Sequence, residues 1–425
     1  MGIVYDLRFG RSMSEEHHDP LQCVTQLRQT LSADKLSIGF FLGAGCPCAV
    51  RISGASGDLP IIPDIKGLTA RVHAVLIADD AYEASYQKLS KTFIEDSMVN
   101  PTIEEMLNRI RAFRDVAGNA GVRDLSFEEL NNLDRHICLS IRNIVTCSLP
   151  PQRTPYHSLA SFIGSRRSPF TEIFTTNYDV LIEQALESGR VPYFDGFVGS
   201  SRPFFDQRSI EDGEIPSRWS RLWKLHGSIN WRINKKTKAV FRSENGEDGD
   251  ELLIHPSHLK YDESRRMPYF VMIDRLRSFL RHSERPVALI LSGYSFGDEH
   301  INEAIVDSLK ANASAACFAL QFGELADYPK ATALAKDNSN LSVLAPDGAV
   351  IRRRKGQWMA SPTTDPVNLK GTFELVPEEA ASASAPTAPE APRRCRMTLG
   401  DFKRLGDFLD EFSGYRLPGD AASTP

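Results

Sequence analysis

No stretch of the 425 residues approaches the roughly 18 to 20 consecutive apolar residues that span a bilayer. The opening residues, MGIVYDLRFGRSMSEEHHDP, lack the apolar region of a signal peptide, and Asp6 stands where a myristoylation signal needs Ser or Thr. These absences lead to the expectation of a cytoplasmic protein with no membrane contact. A basic stripe is also missing: 50 Lys and Arg stand against 55 Asp and Glu, for a net charge of -5. A chain that follows a nucleic-acid backbone by itself carries the opposite footprint, so direct nucleic-acid binding is not expected.

Cysteine is sparse and scattered. Cys23, Cys46, Cys48, Cys138, Cys147, Cys317 and Cys395 are an odd set spread through a long chain, which excludes a secreted disulfide framework and predicts reduced thiols. Cys46 and Cys48 form one close pair, but a structural zinc draws on two, so no metal is expected. Internal repeats are absent. What remains is an ordinary soluble balance, 41% apolar and 25% charged, in a chain longer than one average domain.

Short apolar runs bounded by turn residues predict buried strands at Leu36–Gly43, Thr171–Thr176, Leu222–Leu225, Val287–Ser292 and Ala316–Phe322. Between the first two the texture is helical. Thr102 and Glu105 form a capping box ahead of Ile103, Leu107, Ile110 and Arg114, and a second helix covers Phe127 to Cys147 with Leu130, Leu133, Ile137 and Ile144 on one side. The fold class expected is therefore α/β, a Rossmann-like parallel sheet core with a helical insertion. The boundaries are an N-terminal extension at 1–35, the core at 36–68 and 163–350, the insertion at 69–162, and a strand and loop extension at 351–375. An Ala/Ser/Pro-rich linker follows at 376–396, then a short amphipathic helix and tail at 397–425. In that helix Thr398 and Asp401 supply caps, and Phe402, Leu405, Leu409 and Phe412 make one apolar stripe that calls for a docking surface. The run IRRRK at 351–355 could contact nucleic acid, but reads first as a solvated loop.

The stretch FFLGAGCPCAV, Phe40 to Val50, is a strand running into a glycine turn of the kind that lets backbone approach a pyrophosphate at a helix N-terminus. Alone it is weak, because Cys48 replaces the last glycine of the dinucleotide fingerprint and no phosphate-binding lysine follows. Three more segments place polar residues just after an apolar strand, where an open parallel sheet binds its ligand. They are FTTNYDVL at 174–181, LWKLHGSINW at 222–231 and LILSGYSFGDEHINEAI at 289–305.

With these residues in view the chain resembles the sirtuin superfamily, and more closely its bacterial branch of defence-associated NAD-hydrolysing proteins. Gly43, Ala44 and Gly45 resemble the sirtuin Gly-Ala-Gly turn, and IPDIK, with Asp64, the flexible nicotinamide loop. TTNYD, with Thr176, Asn177 and Asp179, resembles the Asn-x-Asp catalytic segment, and Leu225-His226-Gly227-Ser228 the segment with the catalytic histidine. SGYSFGDEHIN, with Gly293 and Ser295, resembles the turn near the adenosine half of NAD. The matches span Leu36 to Leu325. Pro47 departs from the pattern, the paired Cys-x-x-Cys zinc module of the deacetylases is missing, and Val180 to Arg221 is a long separation.

The resemblance implies NAD as substrate, with Asn177, Asp179 and His226 catalytic and Gly43, Ala44, Gly45, Asp64, Thr176, Gly227, Ser228, Gly293 and Ser295 binding it. Chemically the assignment is coherent. Cleavage of the nicotinamide–ribose bond develops oxocarbenium character, so the site needs a positioned acceptor and a group that takes its proton. Asn177 can hold a water or the ribose hydroxyls, Asp179 can orient Asn177 or bind the carboxamide, and His226 titrates near neutrality. Ser295 or Asp298 can meet a ribose hydroxyl, and Asp298 can equally cap the helix carrying Ile301, Ile305 and Leu309. The leading expectation is an NAD+ hydrolase of antiphage defence, working as a homo-oligomer with a HerA-type ATPase partner. A sirtuin-type deacylase or ADP-ribosyltransferase, and a silent NAD-binding scaffold, are the alternatives.

Overall fold

The computed structural model describes residues 16–414, apart from positions 55–56, 119, 167–169, 212, 214, 235, 245–249, 255–262 and 378–391. Most of the expected linker, and the tail from 415, thus lie outside the described residues. The architecture is α/β. Seven parallel strands make its centre: β1 (Ser37–Leu42), β2 (Glu172–Thr175), β3 (Tyr193–Phe194), β4 (Ser220–Lys224), β5 (Val287–Ser292), β6 (Ala315–Leu320) and β7 (Leu341–Ala345), in the order β7-β6-β5-β1-β2-β4-β3. Chain order reverses across β1, since β2 lies on one side of it and β5 on the other. This is the switch point at which open α/β sheets leave a crevice.

Both faces of the sheet are covered, which is why its strands read as continuous apolar runs. In β1 the alternation sends Ile38, Phe40 and Leu42 into one core and Phe41 into the other. On the first face stand α1 (Pro20–Ser32) and a group of helices, α2 (Ile65–Ala78), α3 (Asp80–Glu95), α4 (Ile103–Val116), α5 (Phe127–Val145) and α6 (Pro155–Ser165), followed after β2 by α7 (Leu181–Ser188). On the second lie α8 (Glu263–Leu280) and α9 (Glu299–Ala311). Gly39 sits mid-strand because a Cβ there would stand 2.8 Å from the Phe279 ring of α8.

Capping boxes open α4 and α5 of the helical region, of which the sequence reading named the first. Thr102 and Glu105 cap α4 reciprocally, and Ser126 and Glu129 do the same for α5. Arg114, on the buried stripe of α4, shares Asp134 with Arg111, at 3.0 and 2.8 Å. Helix α6 lies against the sheet, its Phe162 meeting Phe40 edge to face with centroids 5.7 Å apart.

Beyond the central strands β3 and β7, which the sequence reading did not include, two features differ from it. A separate five-stranded antiparallel sheet, made from Phe197–Val198, Phe204–Phe205, Gly227–Asn234, Val240–Arg242 and Asp250–Ile254, occupies much of the segment that had no assignment. The IRRRK run is a hairpin: Gly348–Ile351 pairs antiparallel with Arg354–Ala360, and Arg352 and Arg353 make its turn with φ of 49° and 71°.

Helix α10 (Phe402–Asp410) docks on its own chain. Asp401 caps it by accepting from Lys403 N, while the Thr398 hydroxyl turns away to donate to Gly371 O. Phe402 meets Tyr156 edge to face at 5.1 Å, and Asp410 accepts from Arg153 and from Ser158 of α6. Leu405 and Leu409 are buried beneath it. Leu409→Ala is expected to lower unfolding stability by about 2–5 kcal/mol in urea titrations, the usual cost of emptying a buried leucine. A change below about 1 kcal/mol would show that this helix is peripheral to the fold.

Candidate active site

The site begins where β1 and β5 end. They pair in register to Leu42 and Ser292, and their following turns then cross backbone on backbone. Gly43 N donates to Ser292 O and Gly45 N to Gly293 O, both at 2.9 Å. A Cβ on Gly43 would lie 2.3 Å from Gly293 O, and one on Gly293, whose φ is +67°, would lie 2.5 Å from Cys46 N. Only glycine fits at these crossings. The amides of Gly43 and Gly45 are therefore engaged by the β5 turn, and the helix that follows, Gly45–Cys48, is a single turn.

The turn after β2 is tied to the same point. The Thr175 hydroxyl donates to Leu42 O and accepts from Asn177 N, and Asn177 Nδ2 donates to Gly43 O at 3.1 Å. These bonds, rather than Asp179, orient the asparagine. Asp179 accepts instead from Leu181 N at the start of α7. Beneath the turn lies Lys224, only 1% exposed, whose ammonium donates to Asp179 O and pairs with Glu183 at 3.0 Å. Burial raises the Asp179 carboxyl to about 6 against the opposing pull of Lys224.

His226 follows β4, and Gly227, with φ of +85°, turns the chain into the Gly227–Asn234 strand. The imidazole is buried between two carboxylates. Its Nε2 lies 3.0 Å from Asp298 Oδ2, and its Nδ1 3.9 Å from Glu104 Oε1 of α4. Tyr178 donates its hydroxyl to the same Glu104 oxygen at 2.6 Å. Asp298 caps α9 with its other oxygen, accepting from Ile301 N at 3.1 Å. Burial works against the imidazolium, but the Asp298 hydrogen bond and the charges of Glu104 and Asp298 outweigh it and hold the His226 pKa above its ordinary value. Burial also disfavours the Asp298 carboxylate, yet bonding to His226 holds that group well below the usual range.

A cavity of about 570 Å³ opens over these groups. Ala44, Thr176, Asn177, Asp179, His226, Gly293 and Ser295 are among the residues that line it. Gly43, Gly45, Asp64, Gly227 and Ser228 are not among the lining residues. The first two support the crossing, Asp64 caps α2 by accepting from Gly67 N, and Ser228 donates to Tyr178 O. Sequence reasoning missed Glu104, Asn108 and Tyr178 in the wall, and saw Asp298 without its bond to His226. The one signal for Glu104 was its place in the first turn of a capped helix, which reads equally well as dipole stabilisation. Cys46 is buried with its thiol donating to Ser292 O, and burial pushes its pKa up. Among the described residues no three His, Cys, Asp or Glu gather as a metal site.

Asp179 carries a pH signature. Its folded-state pKa exceeds the reference 3.8, so its contribution to stability is present at low pH and is lost as pH rises through about 6. Asp179→Asn is expected to match the native protein in thermal stability below about pH 4 and to exceed it above about pH 7. An offset that is the same at every pH would show that ionisation of Asp179 does not limit stability.

Comparison with known proteins adds one family model: residues 171–343 match that of a SIR2-like domain, which supports a sirtuin-like family for this part of the chain. The matched stretch holds Asn177, Asp179, His226 and Gly293 but neither the Gly43–Gly45 turn nor Glu104. No curated protein matches. Among solved structures, a Sir2 homologue in complex with NAD is similar at 14% identity, over 74% of this chain and 89% of that one, with a TM-score of 0.33. Sir2Tm bound to a propionylated peptide is similar at 11% identity, over 76% and 92%, also with a TM-score of 0.33. At these values neither likeness bears on chemistry.

Proposed function

We propose that the protein is an NAD+ glycohydrolase that releases nicotinamide and ADP-ribose. The observation that supports this best is the convergence of Asn177, His226 and Ser295 on one cavity at the sheet's switch point, in a size range suited to a nucleotide ligand. In the reaction the bond between the ribose C1′ and the pyridinium nitrogen breaks, and its electron pair neutralises the leaving nicotinamide. Water adds its oxygen to C1′ and gives up a proton to His226. With Nδ2 of Asn177 held by Gly43 O, its Oδ1 is the atom suited to receive a hydrogen bond from that water or from a ribose hydroxyl. The carboxylates around His226 give the cavity the sign of charge that favours an oxocarbenium ion.

The biological reading is an effector of antiphage defence that acts by depleting NAD. An ungated enzyme of this kind would harm its own cell, so the reading includes gating through a homo-oligomer docked on a HerA-type ring ATPase. The apolar stripe of α10 is spent within the chain, which leaves the helical region as the better contact. In mass spectra an ADP-ribosyltransferase would appear as ADP-ribosylated protein, and a deacylase as acyl-lysine lost from protein with the acyl group carried on ADP-ribose.

Purified protein, alone or with its partner, is expected to release nicotinamide from NAD+, and His226→Ala or Asn177→Ala to lose on the order of 100-fold or more of that rate. Unchanged turnover in both variants would remove them from the site. Co-expression with a HerA-type ATPase is expected to give one large assembly by size-exclusion chromatography, with altered NAD+ turnover. A monomer that ignores the ATPase and works at full rate alone overturns the assembly reading.

A further inference from the structure

His226 is held on both sides by carboxylates from elements far apart in the chain, and their geometry divides the work between its two nitrogens. Asp298 Oδ2 at 3.0 Å from Nε2 is at hydrogen-bonding distance, and a carboxylate only accepts, so the proton of the neutral imidazole resides on Nε2. The lone pair is then on Nδ1. Asp298 is itself immobilised, because its other oxygen caps α9 through Ile301 N. The orientation of a helix is thus passed to the ring.

On the opposite side, Glu104 Oε1 stands 3.9 Å from Nδ1 and is fixed by the Tyr178 hydroxyl at 2.6 Å. Glu104 belongs to the first turn of α4, whose direction is set by the Thr102–Glu105 capping box and by Ile103 N donating to Thr69 of α2. We propose that Asp298 and Glu104 are positioning residues for His226: Asp298 assigns the proton of the neutral ring to Nε2, and Glu104 stabilises the imidazolium. The helical region would then be a working wall of the site rather than only a contact surface. The kinetic part of this proposal rests on the NAD-cleavage reading, while the tautomer and titration parts do not.

Among the described residues, the groups facing His226 include Glu104 from α4, Asp298 at the cap of α9 and Tyr178 from the turn after β2, whose ring lies 6.5 Å away. Asp179, Glu105, Glu299 and His300 line the same cavity. Removing either flanking carboxylate takes negative charge from the imidazolium and lowers its pKa. Asn at 298 retains an oxygen for the α9 cap but can offer an N–H to Nε2, which reverses the tautomer. Glu at 298 restores the acceptor.

The test is imidazole nitrogen NMR on the full chain, with the His226 signal assigned by its loss in His226→Gln. In the native protein the neutral form is expected to carry its proton on Nε2; a proton on Nδ1 overturns the proposal without any variant. Titration is expected to move to lower pH in Asp298→Asn and, less, in Glu104→Gln, and to return toward the native value in Asp298→Glu. An unchanged titration in Glu104→Gln would remove the role given to Glu104. In parallel, kcat for nicotinamide release is expected to fall at least about tenfold in Asp298→Asn, with its acid limb at lower pH and KM within about twofold. If the NMR results hold but the native protein releases no nicotinamide, the hydrolase reading fails and the arrangement of the histidine stands.

Discussion

Everything in the site hangs from a contact that involves no side chain. The turns after β1 and β5 touch through Gly43, Gly45 and Gly293, and a single methyl group at Gly43 or Gly293 would force two backbones apart. Because Gly43 O also receives the Asn177 amide, the same crossing sets the asparagine. Because Gly293 opens the loop that ends at Asp298, it sets the histidine's carboxylate as well. Three loops are thereby referred to one point, and the residues able to do chemistry inherit their distances from a packing requirement on glycine.

This alters what the glycines of the opening motif mean. Read as sequence, Gly43-Ala44-Gly45 suggested amides presented to a pyrophosphate. In the structure those amides bind the neighbouring turn, and the cavity is met by Ala44 and Pro47 between and beyond them. Under the Asn177 turn the buried Lys224 pairs with Glu183 beside Asp179, and ionisation of Asp179 costs stability.

The sheet was legible because strands buried on both faces leave unbroken apolar runs, and the five read from sequence lie within two residues of those observed, as at Val287–Ser292 and Glu172–Thr175. Tyr193–Phe194 was not legible, since two residues carry no period, and neither was the antiparallel sheet, whose strands at 197–198 and 204–205 are as short. Asn177, Asp179 and His226 could be named because they follow strands directly. Glu104 could not: it reaches the histidine through tertiary packing of a helix whose own signals are complete without it. Asp298 was half legible, since a capping aspartate shows only one of its two oxygens to a sequence pattern.

The crossing at the centre of the site joins residues distant in the chain: Cys46 bonds the carbonyl of Ser292 across a separation of 246 residues. During synthesis β1 leaves the ribosome long before its partner β5 exists, and closing so large a loop is slow relative to local helix formation. The helices between them can form early on the nascent chain, but the cleft cannot. Glu104 must wait for His226, and His226 for Asp298, so the pocket is completed only after some seven-tenths of the sequence has emerged. A polypeptide truncated just before that point could still pair β1, β2, β4 and β3, but the histidine's carboxylate would be untranslated.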